Sequence, residues 1–359
     1  MGELESSNAV YSPIHKFTNS HIIKISLFLT VLLFSAAAFA ENVTLVATGD
    51  LMLGREIDLD HETNGTDPFE MVRGILKDSD LTLGNLECSL ARDPKKMKPV
   101  MTGYVFRADT AYGKIIKDSK FDCVTLANNH ALGGGNPIIL ETIKVLDGLG
   151  IVHFGGGANL AEARKFKVMS VKGVKFGFLG ATMECPDTYP AKVDAPGVYK
   201  CDENSIIEDI KAAKKECDLL IVSIHWGTEK TIVLTKTQTM LAHKMLDEGA
   251  DAIIGNHPHV LQGFELYKGK FIVYSLGNLV FDFLNKKVNT DKSAIIRLNY
   301  DTATKQLTKV EAFPIMLQHK KFYPMPATEE EKKVIAGIIK DASMVADKEL
   351  KIMKILEIR

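Results

Sequence analysis

Short apolar runs that end in a polar residue recur along this chain. Between them lie stretches whose apolar residues return every three or four positions. Val43–Thr48, Leu81–Leu86, Asp122–Ala127, Phe166–Val171, Val174–Leu179, Asp218–Ile224 and Ala252–Ile254 are short and almost continuously apolar, which predicts buried strands. Helical spacing marks Pro68–Lys77, Thr110–Lys117, Asn136–Leu149, Asn204–Glu216 and Thr235–Glu248. Pro68 suits a first helical position, and Gly150 suits a C-terminal stop. Lys172-Gly173, between two strand runs, reads as a hairpin turn. Beyond residue 260 only strands are predicted, Val260–Tyr267, Phe271–Ser275, Ala294–Tyr300 and Leu307–Phe313. Thr328 and Glu331 then make a capping box for a last helix. Alternating strand and helix followed by hairpins predicts a layered α/β or α+β domain.

The first forty residues break this pattern. Ile25–Ala40 runs for sixteen residues without a charge, follows Lys16 and Lys24, and ends in Ala38-Phe39-Ala40. Small-x-small after a charged flank and an apolar run is the signature of signal-peptide cleavage, and the run is short for a spanning helix, which wants about 20 residues. The expectation is an exported protein, periplasmic or otherwise extracytoplasmic. It is either released after Ala40 or held on the outer face of the cytoplasmic membrane by the uncleaved segment. The chain then divides into residues 1–40 as signal peptide or anchor, 41–322 as one catalytic-type domain, and 323–359 as a helical tail.

Composition narrows the function classes. Of 359 residues 46% are apolar and 25% charged, which excludes a disordered chain. Lys plus Arg number 44 against 45 Asp plus Glu, a net charge of −1 with no basic tract, so a nucleic-acid binder is not indicated. The five cysteines form no Cys-x-x-Cys pair, so a structural zinc site of the usual kind is absent. Cys185 and Cys201 flank a Pro-containing loop and could bridge in an oxidising compartment.

The candidate chemistry sits at the ends of the predicted strands. Asp50 ends one run, Asn85 and Glu87 the next, and Asn128, Asn129 and His130 a third. His225 closes a fourth run, while His257 and His259 follow a fifth. One polar residue after a strand is usually a cap or turn, and Asn129-His130 alone could be an Asx turn. Five such ends together point to a crevice at the carboxyl edge of a sheet, where ligands bind layered α/β proteins. Carboxylate, amide and imidazole in one place suit a divalent ion such as zinc, manganese or iron.

The runs GDLMLGR (49–55), GNLECSL (84–90), LANNHALGGG (126–135), HWGTE (225–229), GNHPHVLQGFE (255–265) and YSLGNLVFD (274–282) occur in that order. Together they resemble the bacterial capsule-synthesis protein CapA family, associated with poly-γ-glutamate capsules. That family is similar in turn to the calcineurin-like metallophosphoesterases. The resemblance implies a four-layer αββα sandwich, the metallo-dependent phosphatase fold, with one or two divalent ions at the strand ends. It implies Asp50, Glu87, Asn129, His225, His257 and His259 as metal ligands and His130 as the acid facing the substrate. Three positions depart from the phosphoesterase pattern: Met52 stands where a second His is expected, Asn85 where the bridging Asp is expected, and Ala131 where an acidic residue is expected. Arg55, Asn85, Asn128, Trp226 and Glu229 are candidates for the substrate pocket. Trp226 reads more readily as a core or rim aromatic, and Arg55 and Arg107 read equally as surface ion pairs.

Two functions follow. One is a metal-dependent hydrolase acting on a phosphoester or a γ-glutamyl polymer, and so on an anionic substrate. The other is a non-catalytic component of a membrane complex that assembles or exports the capsule polymer.

Overall fold

The computed structural model describes residues 41–93, 105–133, 135–186, 189–282, 284–318, 322–346 and 351–359. The apolar segment Ile25–Ala40 lies outside the described residues. Among those described, no helix is long and apolar enough to cross a membrane.

Two large sheets are built from the predicted strands. In the first, Asn42–Leu51, Leu81–Leu86, Cys123–Thr125 and Val152–Phe154 run parallel as neighbours. Lys292–Asp301 and Leu307–Leu317 extend this sheet antiparallel on the other side of Asn42–Leu51. In the second, Val174–Thr182, Leu219–His225, Ala252–Asn256 and Lys270–Val273 form the parallel centre. Antiparallel edges, Lys167–Val171 and Phe264–Tyr267, close it. Both Lys172-Gly173 and Lys268-Gly269 are hairpin turns with positive φ at both residues.

The sheets stack face to face. Val43, Leu45, Ala47, Ile296 and Leu298 from the first meet Phe176, Phe178, Ile221 and Ile254 from the second in one buried cluster. The outer face of the first sheet, with Val46 and Val124, carries Phe69, Leu76, Tyr112, Ile116, Ile139 and Leu146 from the surrounding helices and turns. Outside the second sheet, Ile206, Ile210, Leu241 and Met245 cover Leu179, Leu220 and Val222. The layer order is therefore helix, sheet, sheet, helix, the expected αββα sandwich.

Several local expectations change. Pro68–Lys77 is helical only over Arg73–Lys77, with turns before it, and Val260–Tyr267 is a strand only from Phe264. A helix at Glu56–Asn64 goes unannounced because only Ile57 and Asp58 of its residues are buried, so it has no apolar stripe. The tail expected over 323–359 is not a separate piece. Pro324–Pro326 and Leu356–Ile358 add strands on either side of Leu307–Leu317, and the helix Glu329–Ala346 sends Ile335 and Ile339 into the inter-sheet core. All of Asn42–Arg359 is one compact unit. The cysteines are five free thiols, so Cys185 and Cys201 do not bridge.

Candidate metal centre

The parallel strands of both sheets deliver their polar ends to one place. The register pairs Asp50 with Asn85 in the first sheet and His225 with Asn256 in the second. Close backbone approach makes this possible. A Cβ on Gly49 would stand 2.1 Å from the Gly277 carbonyl oxygen, and one on Gly255 would stand 2.0 Å from that of Tyr274. Only glycine lets these segments pass.

Two pockets of donor atoms result, with Glu87 between them. In one, His225 Nε2 is 2.9 Å from Asn129 Oδ1 and 3.1 Å from His257 Nδ1. In the other, His259 Nδ1 is 3.3 Å from Asp50 Oδ2 and 2.9 Å from Asn278 Oδ1. Glu87 Oε1 lies 3.9 Å from His225 Nε2, 3.9 Å from His259 Nε2 and 4.0 Å from His130 Nε2. Ligand atoms of Asp50, Glu87 and His225 all fall within 4.8 Å of one another. The six expected ligands and His130 thus converge from five strand ends.

The electrostatics of this cluster are unusual. Asp50 and Glu87 are fully buried, and among the described residues Asp50 Oδ2 and both Glu87 oxygens have no hydrogen-bond partner. Burial, with the Asp50 charge beside it, pushes the Glu87 carboxyl well above the ordinary carboxylate range. Burial and the neighbouring imidazoles hold His225 well below its usual value, and His257 falls to about 4 for the same reasons. Both imidazoles are therefore neutral at pH 7 and offer lone pairs. Around His225 Nε2 they crowd an amide oxygen and a second imidazole nitrogen, which one proton cannot serve together. A buried carboxylate such as Glu87 beside neutral imidazoles is costly by itself, and a divalent cation would satisfy it together with the imidazole lone pairs. The donor set fits such an ion.

Hydrogen bonds and backbone strain hold the set in place. Asn128 Nδ2 donates to Asn85 Oδ1 (3.0 Å) and to the Leu86 carbonyl, and Asn85 Nδ2 donates to Asp50 Oδ1 (2.8 Å). His257 and His259, on either side of Pro258, both have positive φ, 99° and 57°. Such strain in non-glycine residues is typical of sites where geometry is over-determined.

The candidate substrate residues divide. Asn85 and Asn128 are buried and spend their amides on Asp50, His225, the Leu86 carbonyl, the His130 N–H and each other, so they present no surface to a substrate. Trp226 is fully buried, stacked on Tyr274 with its Nε1–H on the Tyr274 carbonyl, and belongs to the core under the second sheet. Arg107 is buried and gives Nε and Nη2 to the Gly133 carbonyl. Arg55 stands 3.0 Å from the buried Asp282 carboxylate. Glu229 does reach the open space. It lines a cavity of about 320 Å³ with Lys230, His130, His259, Phe106 and Phe281. Sequence reasoning misses Asn278, whose amide oxygen takes the His259 Nδ1 proton and leaves Nε2 free. Its signal is the LGN run after Tyr274, a polar residue following a strand like the others. Met52 is fully buried in the apolar cluster outside the first sheet and brings no ligand atom to the centre.

Comparison with known proteins finds relatives over most of the chain. The model of the family described as bacterial capsule synthesis protein PGA_cap matches residues 44–283. A capsule biosynthesis protein CapA of Bacillus anthracis is 31% identical over 309 residues, covering 84% of this chain and 74% of that protein. The PGA biosynthesis protein CapA of Bacillus subtilis is 32% identical over 300 residues, covering 82% and 77%. Among solved structures, a phosphatase of Mycoplasma pneumoniae aligns over 77% of this chain and 95% of its own, at 15% identity and a TM-score of 0.48. The chain belongs to the bacterial capsule synthesis protein family PGA_cap.

Proposed function

We propose that this chain is a metal-dependent hydrolase of the capsule or poly-γ-glutamate system, exported from the cytoplasm and acting on a phosphoester or a γ-glutamyl polymer. The observation that carries the proposal is the buried, unpaired Glu87 carboxylate within 4 Å of three imidazole nitrogens. Asn129, His225 and His257 would hold one ion, Asp50 and His259 a second, and Glu87 would stand between them. Zinc, manganese and iron all suit this mixture of donors. Bound there, the ion supplies Lewis acidity towards a phosphoryl or carbonyl oxygen. His130 lines the cavity and takes the task of protonating the leaving group, a step typically worth about 10²–10⁴-fold. Glu229 and Lys230 at the rim orient the substrate.

One observation favours the second reading, a non-catalytic component in a membrane complex for polymer assembly or export. With Met52 buried among apolar side chains, the Asp50 pocket has one imidazole, His259, and holds its ion more loosely. Metal content and hydrolysis of a generic phosphodiester, measured on the full chain, separate the two. His130→Ala should keep its metal and lose about 10²-fold or more in kcat, whereas His257→Ala should lose both metal and turnover. A parent that binds metal but hydrolyses neither a phosphodiester nor a γ-glutamyl polymer would move the assignment to the second reading.

A further inference from the structure

The cavity over the metal centre has two aromatic walls, and each lies against a different imidazole. The Phe106 ring packs on His130 with centroids 4.0 Å apart and planes 36° from parallel. The Phe281 ring packs on His259 at 4.7 Å. The two phenyl rings meet edge to face at 5.5 Å, an attractive geometry for a pair of aromatic quadrupoles. Both rings are almost fully buried although they line the cavity, so their faces are spent on the imidazoles and on each other. Behind Phe106 stands the Arg55 guanidinium, 5.7 Å from the ring centroid. The same guanidinium reaches Asp282, the residue that follows Phe281, at 3.0 Å. Arg55 has a backbone φ of 61°. A strained non-glycine residue at the end of the GDLMLGR run persists when its side chain is fixed on both sides, here by the ring and the carboxylate.

We infer that Phe106 and Phe281 are positioning residues: their paired rings bracket His130 and His259, and the Arg55–Asp282 ion pair locks the bracket from behind. Hydrogen bonds reach His259 through Nδ1 and leave its ring plane free to tilt about that bond, and the Phe281 face removes this freedom. His130 lies in a loop, its backbone N–H is tied to Asn128, and its ring packs against Phe106. The bracket thus separates two tasks, one wall holding a metal-side imidazole and the other the cavity-side imidazole. The assignment of those two tasks rests on the hydrolase reading, but the bracket itself rests on the ring geometry.

The test uses the full chain with ¹³C-labelled histidine, and Zn²⁺ alone as the probe. In Phe106→Leu the His130 ring resonance should lose its ring-current shift while the Zn²⁺ dissociation constant stays within about 2-fold of the parent. In Phe281→Leu the His259 resonance should move and Zn²⁺ affinity should fall about 10-fold, the scale on which supports of a metal ligand act. Phe106→Tyr and Phe281→Tyr, which keep the rings, should restore both readouts even if they do not restore thermal stability. Leucine variants that melt earlier but leave both resonances and the Zn²⁺ affinity at parent values would overturn the bracket and reduce the two rings to packing. A parent without Zn²⁺ binding would overturn the hydrolase reading instead, because the histidine resonances of the metal-free chain still decide the bracket.

Discussion

The two sheets give the centre chemically different halves. From the first come the carboxylates and amides, Asp50, Asn85, Glu87, Asn128 and Asn129; from the second come His225, His257 and His259. The first half supplies charge and is pinned by a side-chain relay from Asn128 through Asn85 to Asp50. The second supplies imidazole nitrogens and is pinned largely by backbone, with two strained histidines around Pro258. Neither half is a site alone. Glu87 of one is too deeply buried to hold its charge without a cation, and the neutral His225 and His257 of the other give it none. The centre exists because packing of Phe176, Phe178 and Ile221 against Leu45 and Ile296 fixes the distance between the sheets.

The largest effect should come from Glu87→Gln, because Glu87 is the carboxylate that faces the imidazole half. Divalent-metal affinity should fall by more than about 100-fold by competition with a chelating dye, a larger loss than supports of a ligand cause. Melting in chelator should show the metal-free variant to be no less stable than the metal-free parent, since the amide replaces a carboxyl whose charged form burial already penalises. A variant destabilised without metal would show that Glu87 is held by the protein itself.

A smaller effect sharpens the first half. Asn128→Ala removes the donor that aligns Asn85 and, through it, Asp50. Metal affinity should drop about 10-fold, and a titration with zinc or manganese measures it. No change would mean that Asp50 needs no relay.

The smallest effect separates site imidazoles from an ordinary buried one. His153, in the edge strand of the first sheet, is held below its usual value by burial, partly offset by Asp147 at 3.1 Å. In the unfolded chain it takes a proton below about pH 6.5, whereas the folded state refuses it until lower pH. Stability is therefore complete above pH 6.5, declines as pH falls, and levels off below the folded value. His153→Gln should flatten part of this decline in denaturant titrations between pH 7 and 5 and leave metal binding unchanged. An identical slope in parent and variant would show that His153 titrates alike in the folded and unfolded chain.

Much of this centre is legible in the sequence, and the exceptions have physical causes. Asp50, Glu87, His225, His257 and His259 stand out because apolar strand runs end on them, and parallel strands in one sheet put such ends on one edge. Asn85 and Asn128 are equally visible, yet a one-dimensional pattern does not tell whether an amide faces a ligand or another amide. Trp226 follows His225 directly, but the alternation of a strand sends it to the opposite face, under Tyr274. Asn278 becomes a partner of His259 only through the contact of Gly49 with Gly277, which joins distant segments. The Phe106–Phe281 pair comes from two irregular segments without periodicity, so no spacing announces it. The fold itself follows from periodicity except where amphipathicity fails, as in Glu56–Asn64.

The place of the first strand in its sheet sets an order of assembly. Asn42–Leu51 lies between Leu81–Leu86, its neighbour in sequence, and Lys292–Asp301, where Asn42 pairs with Asp301. One flank can pair early through a short loop, but the other must wait for a segment close to the far end of the chain. Closing such a loop is entropically costly and slow. Until it closes, the strand that ends in Asp50 has an open hydrogen-bonding edge, the kind of surface that invites pairing with other chains. The carboxylate half of the centre is therefore completed late, and mutations along Lys292–Asp301, far from any ligand atom, should lower the yield of metal-competent protein by slowing this last pairing.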